Sequence, residues 1–116
     1  MSDVTIYHNP RCSKSRQTLA ILEEGGVTPN IVEYLHNPPD TQTLKSILTM
    51  LNLEPRELMR TKESVYAEKN LDNDALSAQE LIQAMVDNPI LIERPIVVKG
   101  NQAVVGRPPE NVAALI

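Results

Sequence analysis

The chain has 116 residues, of which 41% are hydrophobic, and its 11 Lys and Arg residues stand against 15 Asp and Glu residues. This length predicts one domain over residues 1–116, and the net charge of −4 argues against nonspecific nucleic-acid binding, which requires a basic face. The single Cys excludes an internal disulfide and a zinc site built from cysteines alone. With no signal peptide at its start and no apolar run approaching about 20 residues, we expect a cytoplasmic protein without a membrane partner.

The first third of the chain predicts a β-α-β unit. Residues 4–7, Val-Thr-Ile-Tyr, alternate near period 2 and favour a strand. After a break at residues 8–11, a helix opens at Cys12 and ends before Gly25 and Gly26, since glycine commonly stops helices. Residues 31–35 predict a second strand, and a β-α-β unit favours a parallel pair with a right-handed crossover.

The middle of the chain predicts helices. Asp40 suits the N-cap of an amphipathic helix, whose apolar residues recur at i, i+3, i+4 and i+7 as Leu44, Ile47, Leu48 and Leu51. Pro55 favours the start of a short helix that carries residues 58–60. Residues 77–80, Ser-Ala-Gln-Glu, fit the capping box of a further helix, which we expect to end at Pro89.

The last quarter of the chain changes period again. Residues 96–99 and 102–105 flank Gly100 and Asn101, a strong signal for a two-residue hairpin. Pro108 and Pro109 then suit the start of a short final helix. The order β-α-β, several helices, β-β-α predicts an α/β protein with a thioredoxin-like mixed sheet of about four strands. The helices form an insertion between its two halves.

Cys12 stands at the predicted junction of strand and helix, where a thiol can be reactive. The partial positive charge at a helix N-terminus stabilises a thiolate, and Arg11, Lys14 and Arg16 add positive charge nearby. The alternative is a small buried residue without chemistry. The segment does not match the C-x5-R phosphate loop, because Arg16 comes too soon after Cys12, and it lacks C-x-x-C, because Ser15 replaces the second thiol.

The two histidines raise the question of a metal. His8 and Cys12 supply only two ligands, fewer than a zinc site needs, and Pro10 prevents a regular helix between them. We therefore expect no metal at this pair. His36 lies in no motif and is predicted to be a surface residue.

The segment from His8 to Cys12, followed by Arg16, resembles the active-site segment of the glutaredoxin-coupled arsenate reductases. The resemblance covers nearly the whole chain, which ends nine residues after Arg107, as in a short arsenate-reductase-like branch. The further motifs in the family's order and spacing are Tyr34-Leu35 before residues 37–39, Leu58-Met59-Arg60, residues 88–92 (Asn-Pro-Ile-Leu-Ile), residues 94–98 (Arg-Pro-Ile-Val-Val) and Gly106-Arg107-Pro108.

The resemblance implies roles for individual residues. Cys12 matches the family's nucleophile, and Arg60, Arg94 and Arg107 match the arginines that surround the thiolate and the arsenic oxyanion. Guanidinium groups suit that role because they bind phosphate-like oxyanions bidentately. The alternative for each arginine is a solvated surface charge. Arg56 matches no such position and is expected to matter less.

The resemblance also implies how the thiolate is tuned. His8 and Ser15 match positions that help to tune it, although the residues alone are equally compatible with a loop histidine that bonds to the backbone. The bond between Arg94 and Pro95 is expected to be cis, as in other thioredoxin-like proteins.

The activity that the resemblance implies is reduction of arsenate to arsenite through a cysteine–arsenate intermediate. Glutathione as co-substrate and glutaredoxin as protein partner would supply the electrons, and no nucleic acid would take part. Two alternatives stay open. One is a thioredoxin-like regulator that binds RNA polymerase in thiol stress, although Ser15 removes the C-x-x-C switch that many of those carry. The other is a reductase-like protein that acts on a different substrate.

Overall fold

The computed structural model of the protein describes residues 3–116, which divide into two compact units. The first unit combines the chain up to residue 37 with residues 94–116, and the second comprises residues 38–93. The second unit is the segment that the sequence predicts as a helical insertion. Over residues 3–116, no helix is long and apolar enough to cross a membrane.

Within the described residues, the first unit contains a mixed sheet of four strands, which confirms the thioredoxin-like sheet expected from the sequence. The strands are β1 (Val4–His8), β2 (Asn30–Glu33), β3 (Ile96–Lys99) and β4 (Gln102–Val105), in the spatial order β2-β1-β3-β4. β1 runs parallel to β2 and antiparallel to β3. β3 and β4 form the predicted hairpin around Gly100, whose φ of 59° suits glycine.

One hydrophobic cluster fixes α1 (Ser13–Glu24) against this sheet. Ile6 of β1 and Val97 of β3 lie directly opposite each other and are fully buried. A 3₁₀ helix, Pro109–Leu115, takes the place of the short final α-helix predicted there. The buried members of the cluster are Val4, Ile6, Leu22, Val97, Val112 and Leu115.

β2 ends earlier than the sequence predicts. The strand was expected over residues 31–35, but the chain turns after Glu33, whose carbonyl accepts from the N–H groups of His36 and Asn37, each at 3.0 Å. Tyr34 is buried, with 1% of its surface exposed, so its side chain contributes to the core from a turn rather than from a strand. Ile31 and Leu35, by contrast, are 50% and 38% exposed, so the apolar run indicated neither the length of the strand nor uniform burial of its residues.

The second unit consists of short helices whose predicted caps form. The Asp40 side chain accepts from the Thr43 N–H at 2.7 Å, and Ser77 and Glu80 make the capping box. Its elements are α2 (Thr41–Leu51), α3 (Pro55–Leu58), α4 (Ser64–Glu68), α5 (Ala78–Asp87) and a 3₁₀ turn at Pro89–Leu91.

α3 is shorter than predicted, because residues 59 and 60 pair with another segment. Met59 forms an isolated antiparallel bridge with Ile92, and the Arg60 N–H donates to the Leu91 carbonyl at 2.7 Å. These bonds satisfy the backbone outside the helix, so Arg60 extends from an irregular segment rather than from α3.

Arg56 has a structural role in the second unit. Its guanidinium donates to the Tyr66 hydroxyl at 2.6 Å, to the Leu71 carbonyl, and to the Asn73 carbonyl at 3.2 Å. Carbonyl groups in irregular segments need such donors, since unsatisfied ones are costly. Arg56 therefore ties residues 56–73 together.

Gly106, at the end of β4, allows a close approach between the sheet and α1. A Cβ built at this glycine would lie 2.5 Å from Thr18 Oγ1 and 2.9 Å from Pro95 Cγ. Thr18 is completely buried, and the Gly106 N–H donates to the Pro95 carbonyl at 2.9 Å. Since neither neighbour has room to move, the position requires glycine, and it fixes where Arg107 begins.

We predict that Gly106→Ala lowers the free energy of unfolding by about 1–3 kcal/mol, the usual cost of overpacking a core. Urea unfolding would measure the loss. Thr18→Ala removes one of the two clashing side chains, so the double variant should recover part of that loss rather than add to it. Strict additivity of the two changes would show that the contact with Thr18 does not require glycine.

Candidate active site

Cys12 occupies the N-cap position of α1, at the end of the loop that follows β1. Its backbone N–H donates to the Asn9 carbonyl at 3.0 Å, and its carbonyl accepts from the Arg16 N–H at 3.0 Å. The side chain is partly exposed. The loop thus presents the sulfur to solvent beside the N–H groups of the first helical turn, which have no partner within the helix.

The surroundings of the Cys12 thiol hold its pKa below the ordinary value. Burial alone would raise this pKa. Hydrogen bonds to the sulfur from the Ser15 N–H, the Arg94 guanidinium and the Lys14 N–H outweigh burial, and the positive charge of Arg94 adds to them. All of these groups stabilise the thiolate more than the thiol, so the structure supplies the activation expected at a helix terminus.

Two of the three predicted oxyanion arginines lie at Cys12. Arg107 Nη2 is 3.6 Å from Cys12 Sγ, and Arg107 Nε donates to the Arg94 carbonyl at 2.8 Å. Burial opposes the charge of Arg94, but its contacts with Cys12 and Tyr34 raise the pKa of Arg94, which stays protonated. Two guanidinium groups beside one thiolate can hold an oxyanion next to the nucleophile.

Both arginines precede a proline in a cis peptide bond. The bond between Arg94 and Pro95 is cis, as expected from the resemblance, and the bond between Arg107 and Pro108 is cis as well, which the sequence did not predict. The segments that carry the two arginines are also joined by the bond from the Gly106 N–H to the Pro95 carbonyl. The two guanidinium groups therefore come from neighbouring backbone segments.

The third predicted arginine, Arg60, belongs to the second unit. Its Nε lies 3.2 Å from Glu63 Oε2, and its Nη1 lies 3.5 Å from Glu93 Oε1. Two carboxylates thus lie beside its guanidinium group. A substrate-binding role for Arg60 stays a prediction.

His8 and Ser15 form a buried pair behind the loop. His8 Nδ1 lies 2.6 Å from Ser15 Oγ, and the same hydroxyl oxygen accepts from the Asn9 N–H at 3.0 Å. Burial lowers the pKa of His8; Glu33 raises it and Arg16 lowers it further. A neutral imidazole can accept from the Ser15 O–H through Nδ1, which pairs that hydroxyl with the buried ring nitrogen.

This arrangement gives Ser15 two separate functions. Its hydroxyl is committed to His8 and to the loop, whereas its backbone N–H is the group that faces the Cys12 sulfur. We therefore expect any effect of His8 on the thiolate to act through the position of Ser15. The tuning roles of His8 and Ser15 stay predictions.

Asn9 is a candidate positioning residue to which no sequence motif assigns a role. It is buried and makes three hydrogen bonds, each of 3.0 Å. Its N–H donates to Ser15 Oγ, its carbonyl accepts from the Cys12 N–H, and its Oδ1 accepts from the Arg11 N–H. Asn directly before Pro10 is a typical turn former, and that signal could have identified it.

The site offers no evident metal centre. Over residues 3–116, no group of three or more His, Cys, Asp and Glu side chains is placed to hold a metal ion. His36 is exposed, as predicted for a residue outside any motif. The chemistry of the site is that of a thiolate and cationic donors.

The sheet, the cysteine at a helix terminus and the arginines beside it define a thioredoxin-like protein with an activated thiol. The model of the ArsC family matches residues 7–115. The chain is 56% identical over 114 residues to the uncharacterized protein YfgD of Escherichia coli strain K12, covering 97% of this chain and 96% of that one. It is 47% identical to an arsenate reductase of Neisseria meningitidis over 100% of both chains. It is also similar to the solved arsenate reductase from Vibrio cholerae, with a TM-score of 0.95, 50% identity and 97% coverage of both chains. The chain belongs to the ArsC family.

We predict that the rate of Cys12 alkylation, measured against pH, has a midpoint below about 8.5, the ordinary value for a free thiol. Arg107→Ala should raise the midpoint, because it removes a guanidinium 3.6 Å from the sulfur. Lys45→Ala, which removes an exposed positive charge from α2, is the control and should leave the midpoint in place. A midpoint at or above about 8.5 in the unaltered protein would contradict activation.

Asn9→Ala should raise the same midpoint by roughly 0.5–1 unit, because the loop that aims Cys12 loses a hydrogen bond. Asn9→Ser retains an oxygen that can accept from the N–H two residues on, so its shift should be smaller. Thermal unfolding of both variants separates a general loss of stability from a local change. An unchanged midpoint in Asn9→Ala would show that Asn9 does not position the thiolate.

Proposed function

We propose that this chain reduces arsenate to arsenite, with Cys12 as nucleophile and with glutathione and glutaredoxin as electron donors. The observation that carries the proposal is that two guanidinium groups lie beside the Cys12 sulfur. Arg107 Nη2 is 3.6 Å from this sulfur, and Arg94 donates a hydrogen bond to it. The names of the relatives in Neisseria meningitidis and Vibrio cholerae support it, since both are called arsenate reductases. Arsenate is a tetrahedral oxyanion of the kind that such groups bind.

In the first step, the arginines and the N–H groups at the start of α1 hold arsenate beside the thiolate. Arg94 and Arg107 contribute from the first unit, and Arg60 is the third proposed contact. The Cys12 thiolate attacks arsenic, a sulfur–arsenic bond forms, and one arsenic–oxygen bond breaks. The departing oxygen takes up protons and leaves as water, and arsenic is still As(V).

In the second step, a glutathione thiolate attacks the Cys12 sulfur. A disulfide forms between the two sulfurs, and the electron pair of the sulfur–arsenic bond stays on arsenic, which leaves as arsenite, As(III). Two thiols are thereby oxidised for the two electrons that arsenic gains. Glutaredoxin then takes the glutathione by thiol–disulfide exchange and returns Cys12 to the thiolate.

This scheme uses no resident metal or organic cofactor, and its donors place it in the cytoplasm, where the glutathione pool keeps thiols reduced. The external donor is required by the residues of the chain. Ser15 stands where a C-x-x-C protein has its second thiol, and a hydroxyl cannot take part in disulfide exchange. Glutathione is the abundant thiol of that compartment, and glutaredoxin is suited to the resulting mixed disulfide.

Arg60→Ala, Arg94→Ala and Arg107→Ala should each lower kcat/KM for arsenate about 10- to 150-fold, the cost of one charge-assisted contact. Arg→Lys at these positions should restore only part of the activity, since an ammonium cannot bind bidentately. Lys45→Ala is the control, because it also removes one positive charge, from an exposed side chain of α2. Losses as small as that of the control at all three arginines would mean that the oxyanion is held elsewhere.

Sustained turnover should require both glutathione and glutaredoxin, because the chain itself has one thiol and the reaction oxidises two. Arsenite formation is followed over many turnovers while each donor is omitted in turn. Cys12→Ser, which is similar in size, should abolish turnover under every condition and still fold. Continued turnover of the purified protein without any added thiol would overturn the proposal.

A further inference from the structure

A cleft with a volume of about 190 Å³ lies in the first unit, next to the loop that leads to Cys12. Residues 8–11 of this loop form one wall, and Glu33, Leu35 and His36, from the end of β2 and the turn after it, form the other. Arg94 and Arg107 do not line it. The cleft is therefore separate from the arginines proposed to hold the oxyanion.

The sheet places this cleft at the same edge as the nucleophile. β1 and β2 are parallel, and their last residues, His8 and Glu33, are register partners, so both carboxyl ends meet there. Ligands of α/β proteins bind in the crevice outside the carboxyl ends of parallel strands. Because Cys12 follows the end of β1 by four residues, its Cα lies no more than about 14 Å from that of His8, which lines the cleft.

The lining combines both signs of charge with apolar surface. Arg11 supplies a positive side chain, Glu33 a negative one, and both are exposed at the cleft. Pro10 and Leu35, which is 38% exposed, contribute apolar surface to the same lining. Opposite charges together with apolar surface match a molecule that carries an ammonium and a carboxylate on a short aliphatic chain.

We propose that this cleft binds the thiol donor, a small anionic peptide thiol of the glutathione type, with its ammonium at Glu33 and a carboxylate at Arg11. The inference rests on the proposed function, which requires such a donor at Cys12. A volume of about 190 Å³ is smaller than the roughly 300–1,000 Å³ of sites that enclose whole drug-sized ligands. The cleft therefore takes one arm of the tripeptide and leaves the sulfur-bearing residue free to reach Cys12.

A reaction without arsenate tests the cleft alone. Cys12 is first converted to its mixed disulfide with thionitrobenzoate. A thiolate then attacks the Cys12 sulfur, one S–S bond forms as the other breaks, and thionitrobenzoate leaves as a coloured anion. The rate constant for glutathione is divided by that for 2-mercaptoethanol, which carries no charge besides its thiolate. This ratio cancels any change in the reactivity of Cys12 itself or in its folding.

Arg11→Gln should lower the ratio about threefold or more, the effect of one partly exposed ionic contact. Lys14→Gln is the matched control, because it removes an exposed positive side chain close to Cys12 that does not line the cleft and leaves the backbone N–H in place. An equal fall in both variants would assign the effect to general charge and overturn the proposal.

Glu33→Gln provides the second arm of the test. It should lower the ratio for glutathione about twofold or more and leave unchanged the ratio for an analogue that lacks the α-ammonium. Equal effects on both peptides would overturn the assignment of Glu33. Because the exchange reaction contains no arsenate, these ratios remain valid even if the protein proves unable to reduce arsenate. Conversely, if neither substitution changes the ratio, the proposal that glutathione binds in the cleft is overturned, whereas the proposed function is unaffected.

Discussion

A competition between burial and hydrogen bonding at the Cys12 sulfur sets the pKa of its thiol. Burial favours the neutral thiol, whereas two backbone N–H groups of α1 and the Arg94 guanidinium favour the thiolate and prevail. Arg107, at 3.6 Å, adds a second cation. The groups that stabilise the thiolate are also suited to an incoming oxyanion, so in the proposed reaction activation of the thiol and binding of arsenate share the same donors.

The scaffold serves to keep those donors in place. Gly106 lets the end of β4 approach the buried Thr18 of α1, which sets the start of the Arg107 segment. On the opposite side of the loop, the Ser15 hydroxyl holds His8 and the Asn9 N–H, while Asn9 holds the N–H of Cys12. The Cys12 loop is thereby tied to a buried polar pair, and the Arg107 segment to a buried residue of α1.

Much of the fold could be predicted from the sequence, because its signals are local. Alternation and the glycine turn predicted the β3–β4 hairpin, and Asp40 and the Ser77 capping box predicted helix starts that the structure confirms. Helix ends that depend on tertiary contacts were predicted wrongly. α3 ends at Leu58 because the next residue, Met59, forms a bridge with Ile92. The final helix is 3₁₀ rather than α.

The same distinction between local signals and tertiary contacts applies to the candidate site. The position of Cys12 follows from a strand-to-helix junction, which is local, and the structure places it at the N-cap of α1. That Arg94 and Arg107 meet at the sulfur depends on the pairing of β1 with β3, which no local pattern shows, and only the family resemblance anticipated it. The triple bonding of Asn9 depends on the path of the loop, and a turn signal alone does not reveal it.

The central claim is that Cys12 and an external thiol together supply the two electrons that reduce arsenate. Its most direct test is a single turnover with glutathione and arsenate and without glutaredoxin, quenched in acid and analysed by the mass of the intact chain. Because the sequence has one cysteine, a mixed disulfide can form only at Cys12. The account predicts one bound glutathione for each arsenite released. Arsenite that accumulates while the mass of the chain stays unchanged throughout the turnover would contradict it.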